Sequence, residues 1–494
     1  MAVLSSDLIR QGAAGASTGY TIDNSYFNDA ISRTYMTADT GGSFAANKTF
    51  TLSFWIKKFN KDSYIGSTRN SFYGAFYGSN NRYDYLFQFN NNQFEFISRS
   101  GGASTSTGSA VTIFKTNRVF RDVAAWYHFV LAVDTTKDTP DERVRFFVNG
   151  ERETDFGTEN IPSKDTLFYS FGDGVEQNVG TFQDNDYGSS YNHIYYDGYF
   201  ADFHGLDGYA YDASYFGEFD SNGIWIPKEY SESYGTHGFY LEFKDSSSLG
   251  SDTSGQNNDF TLRNIGSDHQ STDTPTNNKI TFNAMNNQRG GGTVDEGAMR
   301  YVGPGTRTTI STTGGTLPTS GKWAVAITAA QVSTDVGWSY GLQKADDPDM
   351  GDAAGSNEDI GAGTDGAKMI PSSSDGYYYD YEQAAAIDPS LPLATDDEHW
   401  LAVDIATGKY WFGIYDTSAG GYKWVAQDAG LDGDPGAGSN ETGTLTALQN
   451  NTGNYEFVFQ SKQTNQYVTL LREADLSGAV PTGFTYWENV RDLI

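Results

Sequence analysis

Carboxylates crowd two glycine-rich segments in the second half of the chain, residues 345–366 and 426–443. Oxygen atoms of Asp, Asn and loop carbonyls are the ligands that Ca²⁺ prefers. Clustered like charges also repel one another unless a cation or solvent offsets them. Neither segment has EF-hand spacing, so a plain acidic surface loop is the alternative. We predict a Ca²⁺ cofactor bound by aspartates drawn from Asp346, Asp347, Asp349, Asp352, Asp432 and Asp434.

Tyrosines are interspersed with Asn, Ser and Gly in residues 70–85, 184–198 and 372–381. Apolar sugar faces stack on aromatic rings, while sugar hydroxyls bond to polar side chains and backbone amides. Such mixtures also serve adaptable protein-binding loops, and ordinary sandwich tyrosines are the structural alternative. The predicted carbohydrate-binding residues are Tyr73, Tyr77, Tyr83, Asp84, Tyr187, Tyr191, Asn192, Tyr377 and Tyr379.

Patterns that would support catalysis are weak in this sequence. No G-x-S-x-G nucleophile elbow precedes a helix pattern, and the sequence has no H-E-x-x-H zinc motif. His128 and His399 each stand beside an aromatic residue at a strand start, which is typical of a packing histidine. A glycosidase on a sheet needs two carboxylates on one face, and Asp380 with Glu382 is the best candidate pair. We therefore predict a protein that is not an enzyme.

The charge balance excludes several classes of partner. Lys and Arg total 32 against 63 for Asp and Glu, which gives a formal net charge of −31. Nucleic acids and anionic lipid surfaces both require a basic face, so we expect neither.

The sequence has no cysteine, which excludes disulfides and thiolate metal sites. No window approaches 18 consecutive apolar residues, so we expect no membrane insertion.

The elements that would position these residues are β-strands. Alternating apolar and polar residues, abundant Gly and Tyr, and sparse Pro predict many strands joined by tight turns. One hairpin plan, a bulky strand, an Asp turn and an aromatic strand, occurs at 126–150 and again at 399–415. We predict an all-β chain with two antiparallel β-sandwich (jelly-roll) domains in tandem. The predicted segments are an arm at 1–19, a sandwich at 20–248, a linker or long loop at 249–279, and a sandwich at 280–494.

An ordered set of motifs gives this plan a family resemblance. "FTLSFWIKK", "WYHFVLAVDTT", "RVRFFVNG" and "GQNNDFT" follow one another within residues 17–278. This set resembles the laminin-G or concanavalin A-like module of phage tail-fibre and virion structural proteins. The second half is similar to SPRY-type modules, on the evidence of "GKWAVAIT", "HWLAVDIATGKYWFGIYD" and "VPTGF".

The resemblance implies a function as well as a fold. It implies two concanavalin A-like sandwiches in a non-enzymatic protein of the virion surface, a tail fibre or adhesin that recognises host surface glycans. A purely architectural decoration protein and a glycan depolymerase are the alternatives. We expect other virion proteins to bind the arm at 1–19 and host polysaccharide to bind the loops. We also expect a homo-oligomer, taken here as a trimer.

Overall fold

The chain forms two compact units, Met1–Asn278 and Lys279–Ile494, in a computed structural model. Each is built from strands, with a few short 3-10 helices, and the described part of the chain contains no helix long and apolar enough to span a membrane. The structure describes residues 19–30, 32–39, 45–58, 69–77, 82–89, 92–98, 111–184, 192–288, 293–303, 308–312, 316–329, 338–344, 366–370, 377–380, 383–386, 397–427, 430–452, 454–461 and 466–488.

The first unit contains strands β1 to β22 and 3-10 helices at Pro140–Glu142, Ala213–Tyr215 and Ser267–His269. The strands are β1 (Ser25–Asn28), β2 (Tyr35–Asp39), β3 (Ala45–Asn47), β4 (Thr49–Lys58), β5 (Arg69–Tyr77), β6 (Arg82–Phe89), β7 (Gln93–Ser98), β8 (Val111–Val119), β9 (Tyr127–Asp134), β10 (Val144–Val148), β11 (Glu151–Arg152), β12 (Phe156–Glu159), β13 (Phe168–Asp173), β14 (Glu176–Val179), β15 (Thr181–Asp184), β16 (Asn192–Tyr195), β17 (Gly198–Asp207), β18 (Gly217–Phe219), β19 (Trp225–Pro227), β20 (Phe239–Leu241), β21 (Thr261–Arg263) and β22 (Gln270–Ser271).

Two antiparallel sheets of the first unit enclose one aromatic core. The first sheet has the order β11-β10-β9-β4-β17-β1-β22, with β20 beside β17, and the second has the order β12-β8-β7-β6-β5-β14-β2-β21. Phe54 of the first sheet contacts Phe72 of the second, with ring centroids 6.2 Å apart. Strand β4 alternates between the two faces of the sheet: the core side carries Phe50, Leu52, Phe54 and Ile56, while Thr51, Ser53, Trp55 and Lys57 lie on the opposite face.

The outer face of the first sheet is also buried. Trp126 Nε1 and Lys57 Nζ both donate to the Asp273 carboxylate, at 3.0 and 2.8 Å. Within the turn-rich stretch expected as a linker or long loop, β21 pairs with β2 and β22 pairs with β1. Residues 249–278 are therefore an integral part of the first unit.

The second unit contains strands β23 to β38 and 3-10 segments at Thr446–Asn451 and Glu473–Asp475. The strands are β23 (Phe282–Gln288), β24 (Thr293–Asp295), β25 (Arg300–Val302), β26 (Thr308–Thr312), β27 (Lys322–Ala329), β28 (Trp338–Lys344), β29 (Ala367–Ile370), β30 (Tyr377–Asp380), β31 (Gln383–Ala386), β32 (Glu398–Asp404), β33 (Lys409–Asp416), β34 (Gly421–Trp424), β35 (Gly443–Thr444), β36 (Tyr455–Ser461), β37 (Tyr467–Leu470) and β38 (Thr485–Tyr486).

The second unit repeats the two-sheet plan. One sheet has the order β23-β26-β36-β28-β29-β30-β31, and the other has the order β24-β25-β37-β27-β32-β33-β34, with β35 beside β33. Strand β38 pairs with β27 in parallel over two residues, an exception to the antiparallel pattern. Tyr340 of the first of these sheets packs on Phe412 of the second, with ring centroids 5.4 Å apart. The all-β prediction of antiparallel sandwiches is confirmed.

The repeated hairpin has an equivalent place in both units. In the first unit, β9 and β10 follow the long central strand β4 in the sheet order, and in the second unit β32 and β33 follow β27 in the same way. Asn149 and Gly150 turn the first hairpin with φ of 48° and 82°, and Gly408 turns the second with φ of 71°. These left-handed backbones are what Asn-Gly and Gly turns supply.

Gly150 is required for packing as well as for its backbone angle. A Cβ atom at this position would lie 2.3 Å from the Trp225 ring, whereas one at Gly208, with φ of 83°, would meet nothing within 4 Å.

We expect Gly208→Ala to lower the free energy of unfolding by about 1 kcal/mol through left-handed backbone strain alone. Gly150→Ala adds overpacking of about 1–3 kcal/mol. Denaturant unfolding of the two variants measures the difference, and equal losses would contradict this account.

Candidate functional site

Two residues predicted to bind carbohydrate lie in the interior. Tyr73 is 1% exposed, and its hydroxyl donates to Gln177 Oε1 at 2.5 Å. Asp84, also 1% exposed, accepts hydrogen bonds from Ser98 Oγ and from the Ser170 backbone N–H. Burial raises the pKa of Asp84 to about 6, against the lowering effect of these hydrogen bonds. Neither side chain can reach a glycan from there, which corrects their assignment to the binding surface.

The other residues predicted to bind carbohydrate stay predictions. Tyr77, Tyr83, Asn192, Tyr377 and Tyr379 lie on β5, β6, β16 and β30, and their side chains are outside the described part of the structure. Tyr187 and Tyr191 lie wholly outside the described residues. Their assignment to a carbohydrate site stays a prediction.

The predicted calcium ligands divide in the same way. Asp346, Asp347, Asp349 and Asp352 lie outside the described residues. Asp432 and Asp434 are exposed, and their carboxylates accept from Asn440 Nδ2 at 3.2 Å and from the Ala437 N–H at 2.9 Å. Among the residues that the structure describes, no group of three or more His, Asp or Glu side chains is arranged to hold a metal. The calcium site stays a prediction.

A stack of three tyrosine rings lies on the surface of the first unit, and we call it the tyrosine ladder: Tyr209, Tyr211 and Tyr215. The Tyr209 and Tyr211 ring centroids are 5.6 Å apart, those of Tyr211 and Tyr215 are 4.1 Å apart, and both pairs are inclined by 16°. Tyr215, at the end of the stack, is 38% exposed. Tyr211 packs on one face of this ring, and the exposed part of the ring is what a ligand could contact.

The strands of the first sheet hold the ladder in place. Thr51, on the outer face of β4, donates from Oγ1 to the Tyr209 carbonyl at 2.8 Å and accepts from the Tyr211 N–H at 3.0 Å. Arg145 is in register with Thr51 across β9, and its Nη2 donates to the Ala210 carbonyl at 2.9 Å. The backbone between the first two rungs is thus attached to β4 and β10, the two strands that flank β9.

A capped 3-10 turn positions the third rung. Asp212 Oδ1 accepts from the Ser214 N–H at 3.0 Å, at the start of the turn Ala213–Tyr215. Ala213 is buried while Ser214 and Tyr215 are exposed. Asp is a favoured residue at the start of such a turn, and the capped turn places the Tyr215 ring against Tyr211.

The ladder lies in an acidic setting. Burial is the main cause that raises the pKa of Tyr211 above its usual value. The Glu232 carboxylate and the neighbouring phenols raise this pKa further. The hydroxyl therefore stays protonated at neutral pH and can both donate and accept hydrogen bonds. Glu232 is exposed and adds a carboxylate acceptor. Stacked phenol rings with hydroxyls and a carboxylate alongside are the groups that bind sugars.

A network of buried polar groups lies behind the same segment. Asp202 Oδ1 accepts from the Tyr20 and Tyr240 hydroxyls at 2.8 and 2.6 Å, and His204 Nε2 lies 3.2 Å from Oδ2. Burial alone would raise the pKa of Asp202, but the His204 charge and these hydrogen bonds outweigh it and hold the pKa below its usual value. This network ties residue 20, β17 and β20 together beneath the surface.

A serine–histidine contact in this layer is not a nucleophilic pair. Ser53 Oγ lies 2.9 Å from His128 Nε2, and Trp225 Nε1 donates to His128 Nδ1 at 3.0 Å. Burial lowers the pKa of His128 to about 3, so the ring is neutral. Since an indole N–H only donates, Nδ1 is the acceptor and the proton is on Nε2. His128 therefore donates to Ser53 and cannot deprotonate it.

His128 makes stability dependent on pH. Its folded pKa of about 3 is below the unfolded value of about 6.5, so its contribution is present above pH 6.5 and is lost as the pH falls towards 3. Between these pH values His128 adds one proton to the slope of the free energy of unfolding against pH, which is about 1.4 kcal/mol per pH unit. We expect His128→Gln to lower the slope by that amount. Unfolding followed between pH 7 and 4.5 measures it. His399→Gln is the matched control, because His399 also has a pKa lowered to about 3 by burial but lies in the second unit. An unchanged slope for the first unit in His128→Gln would contradict the assignment.

Comparison with known proteins agrees with the fold of the first unit. Residues 31–184 match the family model Laminin_G_3, described as the concanavalin A-like lectin/glucanases superfamily. No curated protein matches the chain significantly. The first unit thus has a laminin-G, concanavalin A-like sandwich fold over the matched region.

Solved structures with similar folds are distant. The LG4-5 domains of the mouse laminin alpha1 chain are 10% identical over 95% of this chain and 97% of theirs, with a TM-score of 0.29. A native heptameric SAP-like pentraxin from Limulus polyphemus is 14% identical over 39% of this chain and 80% of its own, with a TM-score of 0.27. The TRIM65 PSpry domain is 13% identical over 39% and 90%, with a TM-score of 0.26. None of these likenesses carries an argument about function.

The ladder is a feature that the sequence reasoning missed. Its residues stand in the stretch "YAYDASYFG", where two tyrosines are two positions apart and a third follows an Asp-capped turn. Residues two apart in an extended segment point the same way, so the first pair had a local signal. The third ring joins the stack only because the turn reverses the chain.

Proposed function

We propose that this protein is a non-enzymatic, lectin-like protein of the virion surface that recognises host surface glycans through the tyrosine ladder. The observation that carries the proposal is the stack of Tyr209, Tyr211 and Tyr215, whose last ring is exposed. The laminin-G and concanavalin A-like match over residues 31–184 supports a lectin-type role.

The ladder suits a sugar better than it suits a buried protein interface. Tyr215 offers an exposed aromatic ring for an apolar sugar face, while the phenol hydroxyls and Glu232 can bond to the sugar hydroxyls around it. The backbone under the rings is fixed by Thr51 and Arg145. A ligand therefore meets a site that loses little conformational entropy on binding.

The virion setting belongs to the same proposal. The resemblance of residues 17–278 to virion modules supports a place on the particle, with the segment 1–19 binding another virion protein. Single-ring stacking gives weak affinity, and a symmetric trimer would convert weak contacts into firm attachment through a high effective concentration. Calcium bound by the acidic segments of the second half is part of the proposal too.

We expect Tyr215→Ala to weaken glycan binding about two- to tenfold, in line with about 0.5–1.5 kcal/mol for a lost aromatic contact beyond its buried area. Tyr215→Phe should retain binding because it keeps the ring. The test is a glycan array that includes bacterial capsular and lipopolysaccharide glycans, followed by titration of the bound glycans in solution.

Phe219→Ala is the matched control. Phe219 is 52% exposed in the same covering segment but packs on Trp225 instead of joining the ladder. Equal loss in the Phe219 and Tyr215 variants would contradict a role for the ladder. Absence of any bound glycan, together with particles that fail to assemble without the protein, would favour the architectural alternative. Release of reducing ends from a bound polysaccharide would favour the depolymerase.

A further inference from the structure

The hairpin of β15 and β16 lies on the outer face of the second sheet of the first unit. Its two strands form a small sheet of their own. Phe182 of β15 and Ile194 of β16 pack with Ile97 of β7 in a cluster that is separate from the main core. Phe182 also lies over Gly74 of β5, where an added Cβ atom would come within 2.6 Å of its ring. The hairpin therefore covers part of this face, over β5 and β7.

Asn178 of β14 lies at the edge of this cover. Its neighbour Val179 belongs to the core, and successive side chains of a strand alternate between the two faces, so Asn178 points outwards. Asn178 is in register with Gly74 on one side and with Thr37 of β2 on the other. Because the Phe182 ring lies over Gly74, Asn178 is only 1% exposed although it is on the outer face.

The side-chain amide of Asn178 has a hydrogen-bond partner for only one of its two ends. Its Nδ2 donates to Glu176 Oε1 at 3.2 Å. Its Oδ1 is buried, and no group among the residues that the structure describes donates to it. Since a carboxylate only accepts, the NH2 group has to face Glu176, and the carbonyl is the end without a partner. A buried acceptor that lacks a donor is costly and rare in native structures.

The groups around this carbonyl form a partly open step, which we call the hairpin site: Asn178, Glu176, Thr37, Tyr35 and Tyr195. Thr37 and Glu176 are partly exposed, and Glu176 shares the outer face with Asn178. Tyr35 is two residues before Thr37 on β2, about 7 Å along the strand. It packs against Tyr195 of the hairpin with ring centroids 6.1 Å apart. The strands β14 and β2 thus form the floor of the site, and the hairpin forms its wall.

We propose that the hairpin site binds a neutral sugar unit, through a sugar hydroxyl that donates to Asn178 Oδ1. The Asn178 carbonyl and the Glu176 carboxylate both accept, and the Thr37 hydroxyl can donate or accept, which suits the several hydroxyls of one sugar ring. The half-buried rings of Tyr35 and Tyr195 offer apolar surface for the rest of the sugar. A phosphate or carboxylate ligand has no proton to donate at neutral pH and would also meet Glu176. The site shares no residue with the tyrosine ladder, so it is a second and independent site.

Asn178→Leu is the variant that tests the proposal, because leucine is close to asparagine in size but has no acceptor. We expect the free energy of unfolding to stay the same or to increase, since the variant removes an acceptor without a partner. We expect the affinity for the sugar to decrease about fivefold, as for the loss of one hydrogen bond. Asn160→Leu is the matched control. It makes the same change at an exposed position that follows β12, at the opposite edge of the same sheet, and should leave the affinity unchanged.

The measurement uses the intact chain and four neutral sugars: glucose, galactose, N-acetylglucosamine and lactose. Calorimetric titration gives the affinities, and hydrogen exchange read by mass spectrometry locates the site. We expect a bound sugar to slow exchange in residues 35–39 and 176–182. Protection of these segments that is lost in Asn178→Leu and kept in Tyr215→Ala would support the proposal and separate it from the ladder.

Four results would overturn the hairpin site. Sugar binding that is lost only in Tyr215→Ala, and is insensitive to Asn178→Leu, would leave the ladder as the site. If none of the four sugars binds, water alone meets the Asn178 carbonyl. Tighter binding of glucosamine than of glucose, lost in Asn178→Leu, would show that the ligand is a cation. A large loss of stability in Asn178→Leu would show that the carbonyl has a partner within the chain.

Discussion

The constraint that organises the first unit is that its first sheet is buried on both faces, while one of those faces carries polar groups. Buried polar groups need partners, so the chain after β17 has to supply them. Asp273 accepts hydrogen bonds from Lys57 and Trp126, and Trp225 donates one to His128. The path of residues 209–278 is fixed by these hydrogen bonds as much as by apolar packing.

This constraint also decides where a ligand could bind. The covering segment turns its own polar atoms towards the sheet, as at Thr51, and that leaves the rings of Tyr209, Tyr211 and Tyr215 on the outside. A stack anchored by its backbone is rigid without being buried. The candidate site is therefore a consequence of how the sheet is covered.

In the second unit the outer face of the larger sheet is also covered by later residues, and the covering layer is more apolar. The outer face of its larger sheet carries Trp400 and Trp411, which pack with Tyr486 and with partly buried residues such as Phe484. Glu398 accepts from Trp400 Nε1 at 3.1 Å and from the Ser477 N–H, so a carboxylate again fastens the covering chain. Both units thus place a hairpin beside a central strand and cover it with later residues.

The sequence by itself determined the all-β class, the inward face of β4, the turns at Asn149-Gly150 and Gly408, and the cap at Asp212. Each follows from alternation or backbone angles within a few residues, which are local properties of the chain. Only the tertiary structure decided that Tyr73 and Asp84 are interior and that Tyr209, Tyr211 and Tyr215 form a surface stack. A tyrosine has the same local pattern whether it faces a core or solvent. Which of the two it faces depends on the chain packed against it, and that chain comes from a distant part of the sequence.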